Sequence, residues 1–444
     1  MNRYSPLKLW MIVGGLLFSF LFTQAQTSTH LSLEEAVKLS EKHNATIRSA
    51  QIDRRISKAE RHRTDAIFLP QISVGYNVTV SNNPLHAFGF LLQQREVTAA
   101  DFDPNKLNHP GSSQLYAASI DVQMPIFNLD QIFARKAARI QEEIVEHKES
   151  FTRDQIGFEV RKVYTQLQFA YRAQEVLQST LQDVKAIHHS VSNFYNQGLV
   201  QKSDVLQAAV EINTIEAALK KAESNIANAS DGLRLLLGEQ IDETTPNYTT
   251  DPLKPVAYHP SDYTFSVNRS DIMAMEKAVQ ASRMMNKSAK MAFVPSINAF
   301  GSYGFNDSKM IRFKEDAYIV GISLKWNIFA GNNNRSKFKS AAFQHEKMRN
   351  DYELFVAKSR VETNKTNRDI QNLQVEIDKH RSSVEFAGES LRIMTNRHKE
   401  GLVSTTDLLM AQAKFAQQQL ALEEATMNYN IICHYHQVLT QNAK

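Results

Sequence analysis

Hydrophobic residues recur at alternating spacings of three and four in two long stretches of the chain, which is the heptad pattern of a coiled coil. The stretches end at Gly198 and Gly401, at nearly the same distance after the isoleucine of a "PIF" or "NIF" sequence (198 minus 126 is 72, and 401 minus 328 is 73), and neither contains proline. Each stretch is therefore predicted to form one long helix, of roughly 100 Å at 1.5 Å per residue. The seam positions are Val160, Val163, Leu167, Ala170, Gln174, Leu177, Leu181, Val184, His188, Val191 and Tyr195 in the first and Ile370, Leu373, Ile377, His380, Val384, Ala387, Leu391, Met394 and His398 in the second.

A second seam follows each long stretch after a short glycine-containing segment. These segments read "GLVQKSDVLQA" and "GLVSTTDLLMA", and their glycines and aspartates keep the same offset without a gap (401 minus 198 equals 407 minus 204). The glycines suit the left-handed conformation at a helix end, and Ser203-Asp204 and Thr406-Asp407 are predicted to cap the returning helices. The chain is thus interpreted as a duplication in which each half holds an antiparallel coiled-coil hairpin.

The first long helix also carries an apolar stripe beside its seam. A helix in a simple pair needs one seam, so two stripes favour contact with a neighbour on either side, as in a closed tube of helices. A larger helical bundle explains the pattern as well. The second stripe consists of Phe169, Ala173, Val176, Thr180, Ile187 and Phe194.

Four shorter segments alternate apolar and polar residues, which is typical of β-strands. Their length of about ten residues suits tilted strands of an outer-membrane barrel, with apolar side chains outward, although half-buried strands of a soluble sandwich alternate equally well. Tyr76, Tyr116, Tyr318 and Trp326 are candidates for the aromatic girdle of such a barrel. The predicted strands span about 71–82, 115–127, 296–306 and 317–329.

The two predicted strand pairs differ in the link between their strands. The separation of Pro70 from Pro295 exceeds that of Ile126 from Ile328 (295 minus 70 against 328 minus 126), so the first link is the longer one. A site that tolerates such an insertion is most simply a surface loop. The "FGFLL" segment in this loop could plug the barrel, but we expect it to pack locally.

The amino-terminal residues predict export. Arg3 and Lys8 precede an apolar run from Trp10 to Phe22, and small residues up to Ala25 suit cleavage by a signal peptidase. Residues 1–25 are therefore interpreted as a signal peptide. The run is too short for a membrane-spanning helix.

Composition and motifs do not predict an enzyme. The net charge of +4 is too mild to indicate nucleic-acid binding, and the single cysteine, Cys433, excludes an internal disulfide. No phosphate-binding glycine loop or zinc-protease motif occurs. "CHYH" at 433–436 and the His188-His189 pair are weak metal-ligand candidates because His188 and His436 lie on heptad seams. We expect no metal and no cofactor.

The chain resembles TolC-type outer-membrane efflux proteins. The resemblance is carried by the order of "LSLEEAVKLSEKHNATIRSA", "FLPQISVGY" and "GLVQKSDVLQA", followed by "NRSDIMAMEKAV", "FVPSINAFGSYG" and "GLVSTTDLLMA". It implies a homotrimer in which each protomer gives four strands to a twelve-stranded barrel in outer-membrane lipid and its helices to a periplasmic tube. It also implies a periplasmic adaptor protein and an inner-membrane pump as partners. Independently, four strands cannot close a membrane barrel, so several chains must share one.

The resemblance places adaptor docking and the periplasmic gate at the two hairpin tips. Glycine turns and aspartate caps would explain part of this motif without function. Some family members carry a second aspartate three residues after the Asp407 position, where this chain has Met410. The implied site consists of Gly198, Leu199, Val200, Asp204, Gly401, Leu402, Val403 and Asp407.

The sequence therefore predicts a mixed fold of helical hairpins and barrel strands, with a first repeat at 26–237, a linker at 238–268 and a second repeat at 269–444. The predicted function is a passive exit duct of a tripartite efflux pump for drugs, toxic small molecules or metal ions. The outer channel of a type I protein secretion system is an alternative. A soluble periplasmic coiled-coil scaffold is an alternative from another class, but it leaves the alternating strands unexplained.

Overall fold

The structure is a computed structural model that describes residues 29–240, 246–258 and 264–441. The predicted signal peptide lies outside the described residues. The fold class is confirmed, because long helical hairpins combine with one four-stranded antiparallel sheet. The helices are α1 Leu33–His43, α2 Ala45–Arg63, α3 Pro84–Gln93, α4 Pro104–Asn108, α5 Leu129–Asn196, α6 Lys202–Leu237, α7 Ser270–Met291, α8 Asn333–Lys399 and α9 Thr405–Thr440, with 3₁₀ turns at Thr64–Phe68 and Ala99–Phe102. The strands are β1 Gln71–Ser81, β2 Ser113–Phe127, β3 Ser296–Asp307 and β4 Glu315–Lys325.

The chain divides into two compact units. The first contains Met1–Gln51, Glu149–Ser270 and Ala357–Lys444, as far as these residues are described, and the second contains Ile52–Lys148 and Asp271–Val356. No helix within the described residues combines the length and the apolar character needed to cross a membrane.

The first unit is built from two coiled-coil hairpins whose seams are buried as the heptads predict. Val160, Leu167, Val184 and Val191 of α5 are at most 1% exposed, as is Ile370 of α8. Burial of one such side chain contributes about 1.5–3 kcal/mol, which makes the seam the main source of hairpin stability. One cluster also joins the two hairpins within the chain, and its members are Val184, Ala208, Ile215 and Leu409.

The second apolar stripe of α5 is partly buried within the single chain. Val176 is 8% exposed and Thr180 is 4% exposed. Polar contacts cross from α5 to α9 alongside this stripe. Arg172 donates to the Glu423 carboxylate at 2.8 Å.

A buried arginine fastens the end of α6 to the linker that follows it. Arg234 is 2% exposed, and its guanidinium carbon lies 5.1 Å from the centre of the Tyr248 ring. The same guanidinium donates to Asp231 Oδ1 at 2.9 Å and to the Pro246 carbonyl. The described part of the linker is thus held against the first hairpin by a cation, not only by apolar packing.

The second unit contains the sheet, in which the strands pair in the order β1-β2-β3-β4. The central pair, β2 with β3, joins strands from the two sequence repeats, with Tyr116 opposite Asp307 at one end. Strands β1 and β4 are the edges. Their outward backbone groups have no strand partner within the described residues.

The two faces of the sheet differ in chemistry. One face carries the apolar alternation, including Val74 at 78% exposed and Tyr318 at 78% exposed. The other face carries Ser73, Asn77 and Asp121, and the Ser119 hydroxyl donates to Asp121 at 2.9 Å. We refer to these as the apolar face and the polar face.

The last strand is shorter than its alternation suggests. β4 ends at Lys325, so Trp326 lies beyond it and its indole N–H donates to the Phe293 carbonyl at 3.0 Å. Ile328 and Phe329 are about four-fifths exposed and precede Gly331 and Asn332, which have φ of 59° and 66°. This left-handed turn, rather than a continued strand, leads into α8.

Candidate functional site

The first hairpin tip is a compact helix-ending turn. The Leu199 N–H donates to the Phe194 carbonyl at 2.9 Å, and the Gly198 N–H donates to the Tyr195 carbonyl at 2.9 Å. These two bonds form a Schellman motif, in which the residue after the cap is left-handed. Gly198 has φ of 74°, a conformation that a residue with a Cβ reaches at a cost of roughly 1–2 kcal/mol.

The second tip repeats this geometry at the equivalent positions of the duplicated motif. The Leu402 N–H donates to the Arg397 carbonyl at 2.9 Å, the Gly401 N–H donates to the His398 carbonyl at 3.0 Å, and Gly401 has φ of 71°. The sequence prediction of left-handed glycines at both helix ends is confirmed.

The caps of the returning helices lie two to three residues earlier than the sequence suggests. The N-cap residues are Gln201 and Ser404, and the two aspartates occupy the third helical position. Asp204 accepts from the Gln201 N–H at 3.0 Å. At the second tip the Ser404 hydroxyl also accepts from the Asp407 N–H at 3.1 Å, which completes a capping box. Serine, a strong capping residue, gives the second tip the better cap.

Two leucines stand at the tips with little cover. Leu199 is 67% exposed and Leu402 is 65% exposed, whereas Val200 and Val403 are half-buried. These leucines lie at equivalent points of the duplicated motif, yet they neither cap a helix nor pack in a coiled-coil seam. They are the feature of the tips that the fold does not explain.

The two tips adjoin each other within one chain. A cavity of about 430 Å³ is lined by residues of both, including Leu199, Asp204 and Val403. The Thr406 hydroxyl of the second hairpin donates to Gln207 Oε1 of the first at 2.8 Å. The structure therefore brings the eight predicted residues into one region, in which Asp204 is half-buried and Asp407 is exposed.

His398 is a residue of this region that sequence reasoning treated only as a seam position. It is 6% exposed, its Nε2 lies 3.3 Å from Thr405 Oγ1, and its ring centre lies 6.0 Å from that of Phe194 on the first hairpin. His398 thus connects the two tips. The sequence signal that could have identified His398 is the polar histidine ring at the last seam position before the second tip.

Burial lowers the pKa of His398 below its ordinary value of 6.5, and the nearby Asp204 carboxylate only partly opposes this. The unfolded chain then binds more protons than the folded one below pH 6.5, so the contribution of this group to stability falls as the pH falls. We expect His398→Gln to reduce the loss of thermal stability between about pH 7.5 and pH 5. The measurement is the heat-unfolding midpoint of the parent and of the variant at pH 7.5 and at pH 5. An equal decrease of the midpoint in both proteins would contradict the prediction.

The "CHYH" segment is a packing feature in the structure. The Tyr258 hydroxyl and His436 Nδ1 are 2.5 Å apart, and Cys433 is fully buried, which raises the pKa of its thiol to about 12. Within the described residues, no three His, Cys, Asp or Glu side chains are grouped as a metal site.

Comparison with known proteins places this geometry in a family. The family model described as "Outer membrane efflux protein" matches residues 36–239 and 264–432, which include all four strands, the first hairpin and most of the second. The chain belongs to the outer membrane efflux protein family.

Individual relatives agree with this assignment. Outer membrane protein TolC of Escherichia coli (strain K12) is 23% identical over 96% of this chain and 84% of its own length. The solved structure of CusC superposes with a TM-score of 0.79 at 17% identity, covering 95% of this chain and 96% of that chain. The Campylobacter jejuni CmeC outer membrane channel gives 0.79 at 16% identity, covering 92% and 85%. The protein is a TolC-type channel protein of the outer membrane that extends into the periplasm.

Proposed function

We propose that three copies of this chain form the passive exit duct of a tripartite efflux pump, which an adaptor protein opens at the hairpin tips. The observation that carries the proposal is the pair of exposed leucines, Leu199 and Leu402, on two structurally equivalent capped tips. The solutes are drugs, toxic small molecules or metal ions, and their selection belongs to the inner-membrane pump.

The sheet supports the oligomer. In lipid, every backbone N–H and C=O needs a protein partner, so the edge strands β1 and β4 must pair with further strands. Four strands from each of three chains give twelve, enough for a closed barrel. The apolar face then meets lipid and the polar face lines the passage.

The tips support the gate. Each is a compact turn, and the contacts between the tips themselves include those of His398 with Phe194 and of Thr406 with Gln207, next to the cluster that joins the two hairpins. An adaptor that binds the exposed leucines and separates these contacts would widen the entrance without unfolding either hairpin. Asp204, Asp407, Val200 and Val403 are assigned to the same docking and gating site.

The first test is the state of the native protein. We expect it in the outer-membrane fraction, as a detergent-extracted particle whose protein mass corresponds to three mature chains. Deletion of the gene should increase sensitivity to several toxic compounds in the host. A monomer or dimer would contradict the duct, and a trimer whose deletion abolishes secretion of one protein but leaves sensitivity unchanged would contradict the efflux role.

A further inference from the structure

Helix α3 in the first long loop lies over the polar face of the sheet. Ser81 Oγ is 3.4 Å from His86 Nδ1 of this helix, and Ser113 lines a cavity of about 290 Å³ together with Ala87. Ser81, Ser113 and Leu115 share the polar face. Leu115 is only 7% exposed, which shows that this end of the face is covered.

The opposite face at the same end of the sheet is only partly covered, because the short β3–β4 link reaches Tyr76, whose hydroxyl accepts from the Ile311 N–H at 3.3 Å. Val78 and Val80 of β1 are 52% and 58% exposed. If α3 were simply a surface loop leaning outward, these apolar residues would be the natural place for "FGFLL" to pack. The helix instead buries Ala87 and Phe90 on the polar side, while Phe88 packs edge-on against Phe102.

The end of α3 is anchored to the sheet. Gln94 is 3% exposed, and its amide donates to the Gln114 carbonyl at 2.6 Å. The next residue, Arg95, donates to the Asp316 carbonyl at 3.0 Å and pairs with Glu315 at 3.2 Å. Both acceptors of Arg95 lie at the start of β4, so the long first loop is fastened to the far edge strand.

A second pair of contacts joins the same two loops. Glu96 accepts from Ser308 at 3.2 Å and lies 3.5 Å from the Arg312 guanidinium. The short link between β3 and β4 therefore contacts the long first loop through its own residues Ser308 and Arg312. The two loops form one connected cover.

Arg95 occupies a position that backbone energetics assigns to glycine. It follows α3 in a Schellman motif, with its N–H donating to Leu92 and that of Glu96 to Leu91, and its φ is 50°. An arginine here costs about 1 kcal/mol relative to glycine. Its contacts with β4 offset that cost, which indicates that the side chain has a role beyond ending the helix.

We infer that α3 folds into the outer opening of the barrel and sets the largest solute that can pass, with Arg95 holding it in place. This inference rests on the proposed function, because the polar face lines a passage only in a closed barrel. On this inference the long first loop limits the size of exported molecules and is not simply an exposed loop at the cell surface.

The experiment measures access to a cysteine below the helix. Ser119→Cys lies on the polar face, and the native Cys433 is fully buried. Charged maleimides carrying polyethylene glycol of increasing mass are added to intact cells. We expect small reagents to label Ser119→Cys readily and large ones slowly, and we expect Arg95→Gly to speed labelling by the large reagents about tenfold, the equivalent of about 1.4 kcal/mol in a rate barrier.

Arg95→Gly is chosen because it relieves the backbone while removing the side-chain contacts, so faster labelling cannot be attributed to a damaged helix end. The matched control is Lys314→Ala, which removes another ion pair of Glu315, at 3.0 Å, without touching α3. Its labelling rates should match those of the parent.

The outcomes separate the inference from the proposed function. Equal labelling by small and large reagents with Arg95 intact would overturn the size filter, and equal rates with and without Arg95 would overturn its holding role. The lipid-side control is Ile120→Cys on the apolar face, which charged reagents should leave unlabelled. If it labels as fast as Ser119→Cys, the closed barrel itself fails.

Discussion

Replacing Leu199 and Leu402 with aspartate is expected to abolish efflux while leaving the protein folded and in the outer membrane. Both side chains are about two-thirds exposed, so the free energy of unfolding should change by less than about 0.5 kcal/mol. Apolar anchors at the centre of a protein interface typically contribute about 2 kcal/mol each, which corresponds to roughly 30-fold in affinity per leucine.

The measurements are growth inhibition by exported compounds and capture of the adaptor by the purified channel. Val210→Asp is the matched control, because Val210 is 63% exposed on α6 of the same hairpin but outside the tip. It should retain efflux. Efflux that survives in the double leucine variant, at normal protein levels, would show that docking does not depend on these leucines.

The second large effect is expected on stability, from Arg234→Ala. The change removes a fully buried cation together with its contacts to Asp231, Pro246 and the Tyr248 ring. Removing a buried hydrogen-bonded charge leaves its partners unsatisfied, and we expect the free energy of unfolding to fall by about 2–4 kcal/mol. The described part of the linker should also become sensitive to limited proteolysis.

Arg392→Ala provides the comparison. Arg392 pairs with Glu389 on the preceding turn of its helix, just as Arg234 pairs with Asp231, but both side chains of the Arg392 pair are more than half exposed. Its removal should change stability by less than about 0.5 kcal/mol. Denaturant midpoints for the two variants test this. Similar midpoints would mean that the burial of Arg234 contributes little.

Much of the fold could be predicted because its determinants are local. Heptad spacing fixes which side of a helix is buried, so the seams of both hairpins followed from residues such as Val160 and Ile370. Strand alternation fixed the two faces of the sheet in the same way. The left-handed glycines at the tips followed from the backbone requirement at a helix end.

The remainder depends on contacts between segments distant in sequence, for which periodicity carries no signal. His398 lies on a seam, yet its burial depends on Thr405 and on Phe194 of the other hairpin. Likewise, Arg234 would be expected on a solvated surface until the linker covers it. The cap positions were misplaced by two to three residues because Ser203 and Thr406 directly precede the aspartates, and only the backbone conformation shows that the N-caps are Gln201 and Ser404.

The pairing of β2 with β3 has a consequence for how the protein is made. Tyr116 must meet Asp307, which belongs to the second repeat, whereas the seam of the first hairpin is complete once α6 has been synthesised as far as Leu237. Contacts so distant in sequence are slow to form because a long loop must close first. We therefore expect the helices to form first and the complete sheet last, because β1 can pair with β2 early but β2 must wait for β3 of the second repeat. During that interval the apolar strand faces stay exposed, and exposed apolar faces with unpaired strand edges are prone to aggregate.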